Sequence, residues 1–188
     1  DYFGVIAPPH AAPAVNDLLR QARLTAFSVS HLPDSQHDRG LPGEQPGVGL
    51  RTELHHGWEV YWSQRRAADR LFVVDTERRM RKIENVLGPL RLDFDCRRPE
   101  EFSRLITAKR AQYHKTGVAD ALASPWSRAL LAVLANTRAH QCSWILSVLY
   151  AGDTWVAAHF GLRAPALLHH WFPVYNPELG KYSPGRLL

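Results

Sequence analysis

The last third of the chain constrains the fold most. Residues 144–150, WILSVLY, alternate with period two, so Trp144, Leu146, Val148 and Tyr150 share one face of an extended segment. Ala151-Gly152-Asp153 then supplies turn chemistry, because glycine tolerates positive φ and aspartate hydrogen-bonds its own backbone. Residues 154–163, TWVAAHFGLR, read as the return strand, and 166–175, ALLHHWFPVY, as a third. Behind them comes Asn176-Pro177-Glu178-Leu179-Gly180-Lys181-Tyr182-Ser183-Pro184-Gly185-Arg186, where Ser183 suits an N-cap and Pro184 the first helical position. The unpaired backbone N–H groups expected there, with the helix dipole, Lys181 and Arg186, predict an anion site. Leu187 and Leu188 begin an apolar stripe where the sequence stops. One helical turn does not offset its own nucleation cost, so the sequence reads as a fragment cut where a helix continues.

At 188 residues the chain accommodates one domain, or one and a piece of another. Its 45% hydrophobic and 22% charged content is that of an ordinary soluble globular protein. No apolar run approaches the ~20 residues a membrane helix needs. The opening DYFGVIAPPH has no basic leader of the secretory kind, and no initiator methionine, which fits truncation at this end too. Cys96 and Cys142 read as two inert buried thiols in a reducing cytoplasm rather than a disulfide. With no CxxC and no His-x-x-x-His pair, no metal site is expected. A net charge of +5 suits an anionic ligand such as a nucleotide but falls short of a surface that coats DNA.

In chain order, YFGVIA (2–7) reads as a strand ended by Pro8-Pro9, 13–23 as a helix and LTAFSVSHL (24–32) as a strand. Residues 33–49, rich in proline and glycine, read as a linker, which places a boundary near 50–60. Residues 58–87 are helical, with a stripe of Met80, Ile83, Val86 and Leu87 stopped by Gly88-Pro89. Arg65, Arg66, Arg70, Arg78, Arg79, Arg81 and Lys82 read as a solvated helix exterior, since no aromatic residues interleave with them as a single-strand-binding surface requires. PLRLDFD (89–95) alternates as a strand with Leu90, Leu92 and Phe94 on one side. A helix over 98–115 carries Phe102, Leu105, Ile106, Lys109 and Tyr113 inward, and its lysine either snorkels out or points into a cleft. A further helix over 118–138 carries Leu122, Trp126, Leu130, Leu131 and Leu134.

The order helix, strand, helix, helix, three strands and a helix start resembles the GNAT acyltransferase arrangement. The runs GWEVYWSQRR, KRAQYHKTG, SPW, LSVLYAGDTWVAAHFGLR and WFPVYNPELGKYSPG are similar to the CelD/BcsL family of GNAT-like proteins. That family is associated with bacterial cellulose and exopolysaccharide loci and is related to the FemAB aminoacyl transferases. The resemblance implies an α/β (α+β) GNAT-like fold, a mixed and mostly antiparallel sheet flanked by helices, incomplete at both ends. It implies that residues 1–55 are the C-terminal part of a first GNAT-like half plus linker. Residues 56–188 would be a second domain, truncated at its coenzyme-binding helix and inactive alone. It also implies acetyl-CoA or another acyl-CoA as co-substrate, its pyrophosphate lying at Lys181, Tyr182, Ser183, Pro184, Gly185 and Arg186. The glycine-rich phosphate loop of ordinary GNAT enzymes is reduced here to Gly180 and Gly185.

Acyl transfer to an amine or hydroxyl needs a base for the acceptor's proton, a donor for the developing oxyanion and a grip on the coenzyme. His159, expected to share a face with Trp155, Ala157 and Gly161, is one candidate base; a packed histidine with both nitrogens satisfied is the plain alternative. His169 and His170 point to opposite faces, and His169, beside Trp171 and Tyr175, is the preferred one of the two. Tyr175 or Tyr182 is a candidate acid for the leaving thiolate. Lys109, Tyr113 and Thr116 are candidates for holding a small-molecule, saccharide or amine acceptor. No GxSxG elbow supports a serine nucleophile. The leading expectation is a cytoplasmic acyl-CoA-dependent N- or O-acyltransferase of polysaccharide or envelope synthesis, with no DNA partner and a homodimer left open. A tRNA-dependent aminoacyl transferase and a non-catalytic GNAT-shaped module are its rivals.

Overall fold

The computed structural model describes residues 14–26, 31–34, 47–139 and 141–188. The chain divides into two compact units, Asp1–Leu54 and His55–Leu188. In the first unit, α1 spans Val15–Gln21 within the helix expected over 13–23. The strand expected at 2–7 and much of that at 24–32 lie outside the described residues.

The second unit begins with α2 (Trp58–Ala68) and α3 (Arg70–Leu87), and the break between them has a clear cause. Asp69 leaves helical geometry and its Oδ1 accepts a hydrogen bond from the Phe72 N–H at 3.0 Å, which starts a new helix instead of continuing the old one. The stripe expected on α3 is only partly inward: Ile83 is buried, but Met80 and Val86 are exposed. Val73, Thr76 and Ile83 form the inward line, because α3 packs on the strands at 90–93 and 143–151 and on residues 177–187.

Next come β1 (Leu90–Asp93), α4 (Pro99–Thr116), α5 (Pro125–Asn136), β2 (Ser143–Ala151), β3 (Thr154–Ala164) and β4 (Leu167–Tyr175). A 3₁₀ helix (Pro177–Tyr182) and α6 (Pro184–Leu187) follow. Pro125 starts α5 later than the sequence suggests, because proline fits the first helical position and not a helix interior. Trp126 and Leu130 consequently lie exposed while Leu122 and Leu131 are buried. The four strands pair antiparallel in the order β1-β2-β3-β4. With only four residues in an edge strand, β1 leaves Leu92 and the following Phe94 exposed.

The sheet buries both faces. Trp144, Leu146, Val148, Tyr150, Ala158, Phe160 and Val174 pack with Leu105, Leu122 and Leu131 on the α4–α5 side. Leu149, Ala151, Val156 and Ala157 pack with Ile83, Leu179 and Tyr182 on the α3 side. Of the cysteines, Cys96 is buried and Cys142 exposed, both as free thiols; the expectation of two buried thiols fails for Cys142, which precedes β2 in a loop.

Candidate active site

Two register shifts decide which side chains meet. Along β2–β3, Leu149 pairs with Ala157 but Tyr150 with Trp155, so Val156 has no cross-strand partner. The extra residue changes the phase of the strand. Trp155 therefore sits with Tyr150 in the α4–α5 core, on the other face from Ala157, and not beside His159 as strict alternation expects. Along β3–β4, Phe160 pairs with Phe172 but Gly161 with His170, which leaves Trp171 unmatched. This second bulge sets His170 opposite Gly161, on the face that carries His159, and sets His169 opposite Leu162 on the other.

His159 is 3% exposed, and its Nε2 has no hydrogen-bond partner. Its ring stacks on that of His170, with centroids 4.0 Å apart and planes 2° from parallel. Gly161 makes room for this: a Cβ there would overlap both the His169 carbonyl and the His159 ring. Burial, and then the neighbouring His170, push the His159 pKa down to about 4, with the His169 carbonyl opposing. His159 is therefore neutral at pH 7. The same causes in His170, desolvation and then the charge of His169, lower its pKa as well. His169 itself stacks on Trp171 with ring centroids 6.3 Å apart. The structure thus brings His159 together with His170, not with His169. The signal in the sequence was Gly161, since a glycine inside a strand often marks a bulge or a close approach.

Tyr175 stands at the end of β4, paired with Ala157 and 41% exposed. Pro173, which pairs with His159, is two residues before it on the same face, about 6–7 Å along the strand. Lys109 reaches the same strand from α4, donating hydrogen bonds to the Pro173 carbonyl and to Gln112 Oε1, both at 3.0 Å. Its ammonium lies 5.1 Å from the Tyr113 ring centroid, and burial lowers its pKa. The lysine on the inward stripe neither snorkels into solvent nor points into a void; it ties α4 to β4. Burial also raises the Tyr113 pKa. Thr116, exposed at the end of α4, spends its hydroxyl on the Gln112 carbonyl at 2.9 Å.

Beyond β4 the chain turns under a clamp from α3. Asn176 caps the 3₁₀ helix, its side chain accepting from the Glu178 N–H at 3.1 Å. Ser183 occupies the N-cap position of α6 with Pro184 at the first helical position, but in left-handed geometry at φ 56°. Its hydroxyl makes no capping bond; instead Oγ accepts from Arg79 Nη1 at 2.9 Å, a nitrogen that also donates to the Lys181 carbonyl at 3.1 Å. Arg186 folds inward, donating to Thr76 Oγ1 at 2.7 Å, to Asp75 Oδ2 at 2.9 Å and to the Phe72 carbonyl. Its guanidinium lies 4.0 Å from the Phe72 ring centroid. Asp75 also accepts from Arg79 and Arg78, which hold its carboxyl well below the usual carboxylate range.

These contacts narrow what is open to an anion here. The Ser183 and Arg186 amides, expected free, donate within the turn to the Gly180 and Ser183 carbonyls at 3.0 and 2.9 Å. Tyr182 and Pro184 are buried, and Arg186 is committed to α3. Lys181 is exposed, a Cβ on Gly180 would meet nothing within 4 Å, and one on Gly185 would come no nearer than 4.0 Å, to Tyr175 Cδ1. The backbone at these two glycines, with the Lys181 ammonium beside it, is open to a phosphate group. No group of three or more His, Cys, Asp or Glu side chains that could hold a metal occurs among the described residues.

A family model described as an acetyltransferase (GNAT) domain matches residues 62–188. No curated protein and no solved structure matches the chain. The match takes in α3, the whole antiparallel sheet, the helices on both of its faces and the turn into α6. The chain belongs to the GNAT acetyltransferase-domain family.

Proposed function

We propose that the protein moves an acyl group from acyl-CoA to the amine or hydroxyl of a small acceptor, with His159 as the general base. The observation that carries this reading is a buried, neutral imidazole to which no side chain is hydrogen-bonded among the described residues. A base must be unprotonated when the acceptor arrives, and burial gives His159 that state at neutral pH. Acyl-CoA, when bound, supplies the activated thioester and a diphosphate that anchors it. His159 Nε2 takes the proton from the attacking amine or hydroxyl. Tyr175, exposed and with its ring beside Gly185, returns a proton from its hydroxyl to the departing sulfur. Lys181 and the open backbone at Gly180 and Gly185 hold the diphosphate, while Tyr182, Ser183, Pro184 and Arg186 keep that turn in shape. Of the α4 candidates, Lys109 reaches β4 at the Pro173 carbonyl and is the one placed to meet an acceptor. Tyr113 and Thr116 lie on the α4 side of the sheet, away from His159. His169, on the opposite face, has no part in the proton transfer.

The similarity of GWEVYWSQRR and WFPVYNPELGKYSPG to the CelD/BcsL group supports an acceptor from cellulose, exopolysaccharide or envelope synthesis in the cytoplasm, and a first GNAT-like half ending within residues 1–55. The aminoacyl-tRNA reading rests on the basic residues of α2 and α3. Arg65, Arg66, Arg78 and Arg79 already pair with Asp69, Glu77 and Asp75, which leaves little of that charge for a phosphate backbone. Isothermal titration of the full-length protein with acetyl-CoA tests the proposal. Saturable heat is expected, and a flat titration at millimolar ligand with the fold intact removes it.

A further inference from the structure

Three residues of α3 are buried, and of these Val73 and Ile83 are apolar while Thr76 is not. A hydroxyl taken out of water costs stability unless it is hydrogen-bonded. Thr76 uses both its donor and its acceptor. Its Oγ1 donates to the Phe72 carbonyl one turn back at 2.7 Å and accepts from Arg186 Nε at 2.7 Å. The direction of each bond is forced, because a guanidinium can only donate and a carbonyl can only accept. The Phe72 carbonyl also accepts from Arg186 Nη2, which closes a ring of three hydrogen bonds between α3 and α6. With Nη1 donating to Asp75 Oδ2 at 2.9 Å, each nitrogen of the Arg186 guanidinium has a partner. Packing alone would be served as well by a valine of the same shape at 76; what the hydroxyl adds is the placement of Arg186.

We propose that Thr76 is a positioning residue for the coenzyme: through Arg186 it fixes the Gly185 backbone where the diphosphate of acyl-CoA is held. This rests on the reading of that turn as the diphosphate site, and it adds a residue that never touches the ligand. Two arginines support the turn at different points. Arg79 Nη1 bonds the Lys181 carbonyl and Ser183 Oγ, and so holds the first part. Arg186 holds the second, since it is the residue next to Gly185. Asp75 serves both arginines, whereas Thr76 serves Arg186 alone. Its hydroxyl therefore acts on the Gly185 side and leaves Lys181 in place.

Thr76→Val, which keeps the shape and removes the hydroxyl, and Thr76→Ser, which keeps the hydroxyl, test this in the full-length protein. Affinity for acetyl-CoA, by titration, should be at least about fivefold weaker in Thr76→Val and within about twofold of wild type in Thr76→Ser. The kcat at saturating acetyl-CoA should match the wild type in both. The Arg186 and Leu188 amides, which donate to the Ser183 and Pro184 carbonyls, should exchange their hydrogens faster in Thr76→Val only. Thr76→Ala takes the place of the valine variant should that protein fail to give a cooperative melt. Equal affinity in Thr76→Val and the wild type would overturn the proposal, as would a serine variant as weak as the valine one. Tighter binding by Thr76→Val would overturn it too, since a released Arg186 would then be serving the diphosphate itself. A flat titration of the wild type is the separate failure of the coenzyme reading, and the exchange rates at 186 and 188 then decide alone whether the hydroxyl holds the turn.

Discussion

Gly161 is the residue on which the site geometry turns. Its missing side chain is what lets the His159 ring lie flat under His170, and any Cβ would collide with the His169 carbonyl, which belongs to the backbone and cannot swing away. Gly161→Ala should therefore destabilise the protein by about 1–3 kcal/mol, the usual range for overpacking a filled interior, and thermal melts should register it as a lowered Tm. A second consequence concerns pH. His159 titrates near 6.5 when unfolded and about 4 when folded, so the unfolded chain binds the extra proton between those values. Stability from this residue is complete above pH 6.5 and is lost as pH falls towards 4. Urea melts across that window should show stability falling with acid, and His159→Phe should flatten the slope. Unchanged slopes would mean that the imidazole is not buried as described.

At the scale of elements, α3 and the turn into α6 act as one piece although they are far apart in sequence. Arg186 and Arg79 converge on Asp75 and together fix Ser183 in its left-handed conformation, one that a residue with a Cβ rarely adopts. Asp75→Asn should loosen residues 181–188 while sparing β2 and β3. Amide hydrogen exchange in that turn should quicken by about tenfold or more with the sheet amides unchanged. The strands themselves were legible in the sequence because apolar alternation over 144–150 and a Gly-Asp turn leave few other pairings. The phase within them was not. A bulge is set by how two strands meet across a sheet, and neither Val156 nor Trp171 carries a local mark of being the unpaired residue. Strict alternation placed Trp155 beside His159 and set His170 aside. The clamp was equally hidden, because the basic residues of α3 look like any solvated exterior until Asp75 and residues 181–186 are brought against them.

For the molecule as a whole, the sheet with α4 and α5 on one face and α3 with α6 on the other leaves β4 as the element where the candidate groups gather. His159 pairs with Pro173, His170 and Tyr175 lie on β4, and Lys109 is bonded to its backbone. Under the proposed function this strand serves an acyl transfer whose proton is taken by His159. The most direct test is the release of free thiol from acetyl-CoA in the presence of an acceptor, measured for wild type and His159→Ala alongside acetyl-CoA affinity. A fall in kcat of about 10²–10⁴-fold is expected, the usual contribution of a general base, with affinity for acetyl-CoA unchanged. Equal turnover by the two proteins would rule out His159 as the base.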